Sequence, residues 1–371
     1  MKKTITITLV LILSMSIGQA KADFVFGTPT KLESGVKSPT DSGTSITTDG
    51  LELFFEGRRS DGHGPADIYV STRASVSDPW GEAVVLGPPI SGPDWNTSPY
   101  ISPDGLELYF TSTRSGPWDI WVSTRASRDE SWEEPVNLGP TVNSSAQDYA
   151  PSISDDGLSL YFSSDRSGGF GKYDLWVTTR VTKDAPWEEP MNLGATVNSS
   201  LDEAMPDISA DGRVLFFCDF MGPPQREGGY GGQDLWMTTR VSTSESWQEP
   251  INLGPVVNSS AFDFSPNIST DGSIFYFTSD RGGVNPFEVV NIYQAPIIPI
   301  VDLNSDGIVD SADLCIIVDH WGTNDSLCDI GPMPWGDGIV DVQDLIVLAE
   351  HLFEEFPPID EPTEEITALT H

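Results

Sequence analysis

The chain is poor in basic residues, in cysteine and in histidine. Nineteen Lys and Arg stand against 56 Asp and Glu in 371 residues, a formal net charge of −37. Such a surface repels phosphate backbones and anionic headgroups, which excludes nucleic acid and acidic membranes as partners. Cations, basic surfaces and neutral polymers remain. Three cysteines cannot build a disulfide scaffold, and four histidines leave little for metal or acid–base work. Long apolar runs are missing beyond the first residues, so no spanning segment is expected in the mature chain. The hydrophobic share of 38% with 11 Trp nonetheless supports a sizeable core. With 34 Gly and 29 Pro, the composition favours short strands and turns over long helices.

The first 22 residues read as an export signal. Lys2 and Lys3 precede the apolar run Ile5 to Ile17, and Ala20-Lys21-Ala22 supplies a small-x-small cleavage pattern. The expected mature chain is secreted, extracellular or held at the cell surface, and the signal has a bacterial look. In that setting the sequons at Asn96, Asn143, Asn198 and Asn258 read as turns.

Residues 23–298 carry five repeats. Asp-Gly pairs recur at Asp49-Gly50, Asp104-Gly105, Asp156-Gly157, Asp211-Gly212 and Asp271-Gly272. Each sits between a short run such as Ser98-Pro99-Tyr100-Ile101-Ser102 and an alternating apolar strand such as Leu106 to Phe110, which is a hairpin signal. A third strand follows at Asp67, Asp119, Asp174 and Asp234, and a fourth after Trp80, Trp132, Trp187 and Trp247. Four strands at roughly fifty- to sixty-residue intervals predict an all-β fold, a five-bladed β-propeller of four-stranded blades. The fifth repeat lacks its last strand, and Phe26 to Leu32 matches that strand, so the N-terminus is expected to close the ring.

The Ser-Pro-x-Ile-Ser-x-Asp-Gly, Asp-Arg-Ser-Gly and Asp-Ile-Trp elements resemble the WD40-like (PD40) repeat of TolB-type propellers. The resemblance implies a binding platform. Its Asp-Arg turn is seen at Asp165-Arg166 and Asp280-Arg281, with Arg59 and Arg114 aligned. Repeat four departs, with Met221 at the Arg position and an enlarged loop from Gly222 to Gly232.

One column at the start of the innermost strand is nearly all acidic: Asp41, Asn96, Asp148, Asp202 and Asp263. It offers a ring around the channel mouth for a cation, a basic group or sugar hydroxyls. It equally suits the turn chemistry of Asp and Asn, the reading that repeat symmetry favours. Five-bladed propellers include glycoside hydrolases, so Asp148, Asp202 and Asp263 are the catalytic candidates if the chain is an enzyme. Acid and base need different environments, and these acids share one, so a non-catalytic chain is expected. His63 sits in a Gly-rich loop and reads as exposed. Cys218 reads as core.

Residues 299–356 change character: from Val301 to the end there are seventeen acids and no Lys or Arg. Asp302, Asn304, Asp306, Ile308 (through its carbonyl), Asp310 and Asp313 fall at positions 1, 3, 5, 7, 9 and 12 of a calcium loop, with Gly307 at the sharp turn. A helix follows. A second unit places Asp337, Ile339, Asp341 and Asp344 at positions 5, 7, 9 and 12. Counting back puts Met333 and Trp335 at its positions 1 and 3, unless Gly331 to Pro334 is an inserted bulge and Asp329 is position 1. Two loop–helix units with Asp at position 12 resemble a type I dockerin, a small α-helical domain with paired EF-hand-type calcium loops. The resemblance implies bound Ca²⁺, docking to a cohesin-type domain of a scaffold or surface protein, and partner choice at Ser311, Ala312, Val342 and Gln343. In an exported chain Cys315 and Cys328 are candidates for a disulfide that would leave Cys218 unpaired, a pairing whose geometry the sequence does not fix. Residues 357–371 read as an acidic disordered tail. The expected function is a secreted binding propeller with a carbohydrate or protein ligand, tethered through the dockerin-like module to an extracellular, polysaccharide-degrading assembly. The alternatives are a propeller glycoside hydrolase and a structural cell-surface protein.

Overall fold

A computed structural model describes residues 24–32, 35–36, 40–219, 226–281, 289–299, 301, 303–304, 308–323, 328–331 and 339–353. The expected signal segment, the tail, Met221, Asp302, Asp306 and Asp337 lie outside the described residues.

Five antiparallel sheets form the blades: four are meanders of four consecutive strands, and the fifth joins three consecutive strands to two short ones from the N-terminus. Blade one is Ser42–Ile46, Glu52–Gly57, Asp67–Thr72 and Val84–Val85; blade two is Asn96–Ile101, Glu107–Ser112, Asp119–Thr124 and Val136–Asn137. Blade three is Asp148–Ile153, Ser159–Ser164, Asp174–Thr179 and Met191–Asn192; blade four is Glu203–Ile208, Val214–Asp219, Leu235–Thr239 and Ile251–Asn252. Blade five is Asp263–Ile268, Ile274–Ser279 and Asn291–Pro299, completed from the N-terminus. Thr30–Lys31 pairs with Tyr293 and Gln294 as the fourth strand, and Phe24–Phe26 pairs with the far end of the same long strand. The ring is therefore closed by the first and last strands of the propeller, which covers the edge that an open fifth sheet would expose.

The first strands contact one another in a closed ring, blade one to two and on to five and back to one. They line the central channel. The second strands carry the buried Leu and Phe that pack blade on blade, among them Phe54, Phe110, Phe162, Phe216 and Phe277. Each Asp-Gly pair makes the same turn: the Asp carboxylate accepts from the hydroxyl two residues before it and the N–H two residues after it, as in Ser102–Asp104–Leu106. The Gly of each pair adopts positive φ, which side-chain-bearing residues resist.

Every first strand is broken by a bulge just before the channel-facing stretch. The bulged residue is left-handed in all five blades: Gly43, Ser98, Ala150, Met205 and Ser265, with φ of 61°, 48°, 52°, 55° and 51°. Its N–H is taken by the preceding blade. Ser98 donates to Glu56 (2.8 Å), Ala150 to Thr111 (3.0 Å), Met205 to Ser163 (2.9 Å) and Gly43 to Thr278 (3.2 Å). For blade five the Cys218 thiol occupies the corresponding place facing the Ser265 N–H, and it donates to the Ala204 carbonyl (3.5 Å).

Two helices, Ser311–Asp319 and Val342–Glu350, follow the propeller. Each is opened by a capping box, Asp310 with Asp313 and Asp341 with Asp344. Val309, Ile317, Cys328, Val340 and Leu348 form a core of their own. Cys315 is exposed and Cys328 is buried, and no disulfide joins them, which answers the point the sequence left open.

Candidate functional site

The acidic column at the channel mouth is engaged by arginine. Arg114 donates to Asn96 (2.8 Å), Arg166 to Asp148 (2.5 Å), Arg281 to Asp263 (2.6 Å) and Arg59 to Asp41. Each arginine lies eighteen residues beyond its partner and stacks on the second-strand aromatic, for example Arg166 on Phe162 at 4.9 Å. The four partners Asn96, Asp148, Asp263 and Asp41 are at most 1% exposed. These groups are structural clamps: beside the guanidinium, Asp148 and Asp263 accept from the turn N–H groups of Ser144 and Ser259, and Asn96 accepts from the Ser112 hydroxyl.

Blade four corrects two sequence assignments. Glu203, not Asp202, holds the column position, and Arg226 takes the arginine role assigned by alignment to Met221. Asp202 instead accepts from the Lys172 and Tyr173 N–H groups (2.9 and 3.1 Å). The constant spacing to the strand isoleucine, as from Asp148 to Ile153, selects Glu203 before Ile208. Following residue type rather than spacing leads to Asp202. Arg226 lies 23 residues from Glu203, because the enlarged loop intervenes. Burial raises the Glu203 carboxyl above its ordinary range despite Ser199 and Arg226.

A second column, one turn deeper, breaks the repeat. Its members are Ser45, Tyr100, Ser152, Asp207 and Asn267, a position that sequence reasoning passed over. The signal was the variable residue before each isoleucine of the repeat. Ser45 accepts from the Ile101 N–H (2.9 Å) and Ser152 from the Ile208 N–H (3.0 Å). Asp207 accepts from the Ile268 N–H (2.7 Å) and the Asn267 amide (3.0 Å). The Tyr100 hydroxyl faces Ser152 and Asp207, and burial together with the Asp207 charge holds its pKa well above the ordinary value. Burial pushes the Asp207 carboxyl up to about 7, against the lowering pull of these donors. Two cavities, of about 30 and 20 Å³, have Tyr100 in their walls. They hold groups the size of water. On the approach to the channel, the half-buried Trp95 and Trp118 stand 5.9 Å apart with the exposed Arg58 over Trp95 at 5.0 Å. His63 is exposed.

In the C-terminal units the buried Asp313 accepts from the Asn304 N–H (3.1 Å) and the Asp310 N–H (2.9 Å). Asp344, equally buried, accepts from the Gly331 N–H (2.8 Å) and the Asp341 N–H (2.6 Å). Gly331 thus stands to Asp344 as Asn304 stands to Asp313, and Asp329, two residues earlier, corresponds to Asp302. Asp329 is 6% exposed. Among the described residues no three His, Cys, Asp or Glu side chains converge on a metal position. Ile308 and Ile339 are exposed, and Asp310 and Asp341 cap the helices.

No family model matches the chain, and no curated protein matches it. Among solved structures it is similar to TolB from Acinetobacter baumannii, at 15% identity and a TM-score of 0.43 over 69% of this chain and 54% of that one. The chain thus spans about half the length of that protein. It is also similar to a putative TolB from Agrobacterium tumefaciens (18% identity, TM-score 0.44, 72% and 84% covered). A family 117 glycoside hydrolase from Zobellia galactanivorans is similar at 13% identity and a TM-score of 0.48, with 75% and 92% covered. The propeller assignment rests on the closed ring of five four-stranded sheets and takes no support from these likenesses.

Proposed function

We propose that the chain is a secreted, non-catalytic binding propeller carried on a calcium-dependent, dockerin-like module, tethered to an extracellular polysaccharide-degrading assembly. The observation that carries the tether is the pair Asp313 and Asp344. Both carboxylates are fully buried in a segment that holds no Lys or Arg, and both are presented by the same capping-box geometry. Buried carboxylates need a positive partner, and a set of hard oxygen donors suits Ca²⁺. In the first unit the ligands would be Asp302, Asn304, Asp306, the Ile308 carbonyl, Asp310 and Asp313. In the second they would be Asp329, Asp337, the Ile339 carbonyl, Asp341 and Asp344, with the extra residues after Gly331 as an inserted bulge. Bound Ca²⁺ would supply the charge that holds both loops closed. The helix positions Ser311, Ala312, Val342 and Gln343 are exposed beside Leu314, Val318 and Ile346, an arrangement suited to docking a cohesin-type domain.

On the propeller, a carbohydrate ligand is supported by Trp95, Trp118 and Arg58 at the channel approach, where sugar rings stack on indole faces. A non-catalytic role is supported by the arginine clamps, which occupy Asp148 and Asp263. A second reading, glycoside hydrolysis, is favoured by one observation, the symmetry-breaking Asp207 with its raised carboxyl.

Calorimetry with added Ca²⁺ and with chelator tests the tether. Ca²⁺ is expected to raise the unfolding temperature of the C-terminal transition, and Asp302→Ala to remove the effect. An unchanged transition in the natural chain overturns the calcium reading. Incubation with insoluble polysaccharides tests the propeller. Depletion from solution without released reducing sugar supports binding. Release that Asp207→Asn abolishes supports hydrolysis.

A further inference from the structure

Four of the five seams between blades share one feature, which makes them controls for one another. After the third strand of the later blade, an arginine lies over a tryptophan: Arg73 on Trp80, Arg125 on Trp132, Arg180 on Trp187 and Arg240 on Trp247, at 4.2 to 4.5 Å. Between blades one and two, Arg125 pairs with Glu52 (2.6 Å) and Arg128 pairs with the hairpin Asp49. Between blades two and three, Arg180 faces Glu107 (3.8 Å) and Lys183 faces the hairpin Asp104 (3.5 Å). Each of these seams therefore runs acid, base, acid, base from the hairpin to the stacked arginine.

The seam between blades three and four lacks the two middle members. Ser159 stands where Glu52 and Glu107 stand, and Thr243 where Arg128 and Lys183 stand. The outer members persist. Arg240 donates to the Gly212 carbonyl (2.8 Å) and the Tyr161 hydroxyl (3.2 Å), neither of them an acid. Asp156 is exposed, and its carboxylate accepts only from Ser154 and Leu158. The two short side chains leave a groove of about 480 Å³, walled by Tyr161, Trp247 and the exposed Met191. The seam between blades five and one also lacks these pairs, but there Ile274 packs with Tyr276 and Trp80 and fills the space.

We propose that the groove between blades three and four binds a peptide segment that carries a basic and an acidic side chain side by side. The basic group sits at Asp156, the carboxylate at Arg240, and the aliphatic stems lie on Trp247 and Met191. The guest supplies in trans the ion pair that two sister seams supply from within. Its zwitterionic character follows from the groove's own charges. The acids lining the groove are Asp155, Asp156 and Asp211, the last already paired with Arg213 (2.7 Å), and its base is Arg240. A guest carrying both charges meets a partner at each end, whereas a lone cation leaves Arg240 without an acid and a lone anion leaves the Asp155–Asp156 rim without a base. A free amino acid shares this chemistry.

The test titrates the natural chain by calorimetry with acetyl-Ala-Lys-Glu-Ala-amide, with the Lys-Ala and Ala-Glu counterparts, and with free lysine. The paired peptide is expected to saturate and to bind at least tenfold tighter than either single-charge peptide. Saturable binding of free lysine at the same strength assigns the site to amino acids and supports the same charge pairing. Ser159→Glu combined with Thr243→Lys rebuilds the neighbouring seam. It is expected to abolish binding and to raise the unfolding temperature. Asp156→Asn, at an exposed position, is expected to weaken binding tenfold with no change in fold. Equal affinity for the three peptides, an absence of saturation at millimolar peptide, or full binding by the rebuilt seam overturns the proposal.

Discussion

Two columns of the innermost strands sit one turn apart and behave in opposite ways. The mouth column of Asp41, Asn96, Asp148, Glu203 and Asp263 repeats one solution five times, an acid or amide clamped by an arginine. The deeper column of Ser45, Tyr100, Ser152, Asp207 and Asn267 has almost no two members alike. In a ring of repeats, uniform positions serve the fold, because every blade must solve the same closure. Positions that differ are free of that demand and are where one blade can acquire its own chemistry. An acidic residue around a propeller channel is thus uninformative until its partner is known.

The comparison breaks most visibly at the clamps. Asp148→Ala leaves the Arg166 guanidinium unpaired beneath the blade, and urea unfolding is expected to show a loss of about 3–5 kcal/mol. Asp148→Asn is expected to cost clearly less, because blade two runs the same network on Asn96. An equal cost would mean that the charge, and not the hydrogen-bond geometry, holds the clamp.

Asp207 gives the next effect and the only one tied to pH. Folding raises this carboxyl from 3.8 to about 7, so the unfolded chain releases its proton first as pH climbs. Its contribution to stability therefore declines between those values and is level above about 7. At about 1.4 kcal/mol for each tenfold change, the decline is at most roughly 4 kcal/mol. Asp207→Asn is expected to flatten unfolding temperature against pH from 4 to 7. A decline that survives in the variant would place its source elsewhere.

The bulge-binding column sharpens the contrast at smaller scale. Cys218→Ser keeps an acceptor for the Ser265 N–H and is expected to be nearly neutral. Cys218→Val strands that buried donor and is expected to cost about 1–3 kcal/mol in chemical denaturation. The smallest effect is at the bulge itself. Ala150 holds φ of 52°, where blade one uses Gly43. Ala150→Gly is expected to shift stability upward by no more than about 1 kcal/mol, since relief of strain is partly offset by a freer unfolded chain.

Much of this was legible in the chain. The Asp-Gly hairpins, the four strands of each repeat and the closing role of the N-terminal strand follow from local patterns, because turn chemistry and alternation act over a few residues. The clamps were half legible. Their acids were found, but their arginines lie 18 or 23 residues away, a pairing that only the folded hairpin creates. In blade four, type and spacing disagreed, and spacing decided.

The sequence by itself determined the number of blades, the order of strands and the acid-rich loops that precede both C-terminal helices. Each of these depends on neighbours along the chain. Only the tertiary structure decided which acids are spent on arginine, that Tyr100 faces Ser152 and Asp207, and that the seam between blades three and four lacks the ion pairs of the two seams before it. Those outcomes depend on contacts between blades fifty or more residues apart, where burial and charge are set by what the neighbouring blade brings.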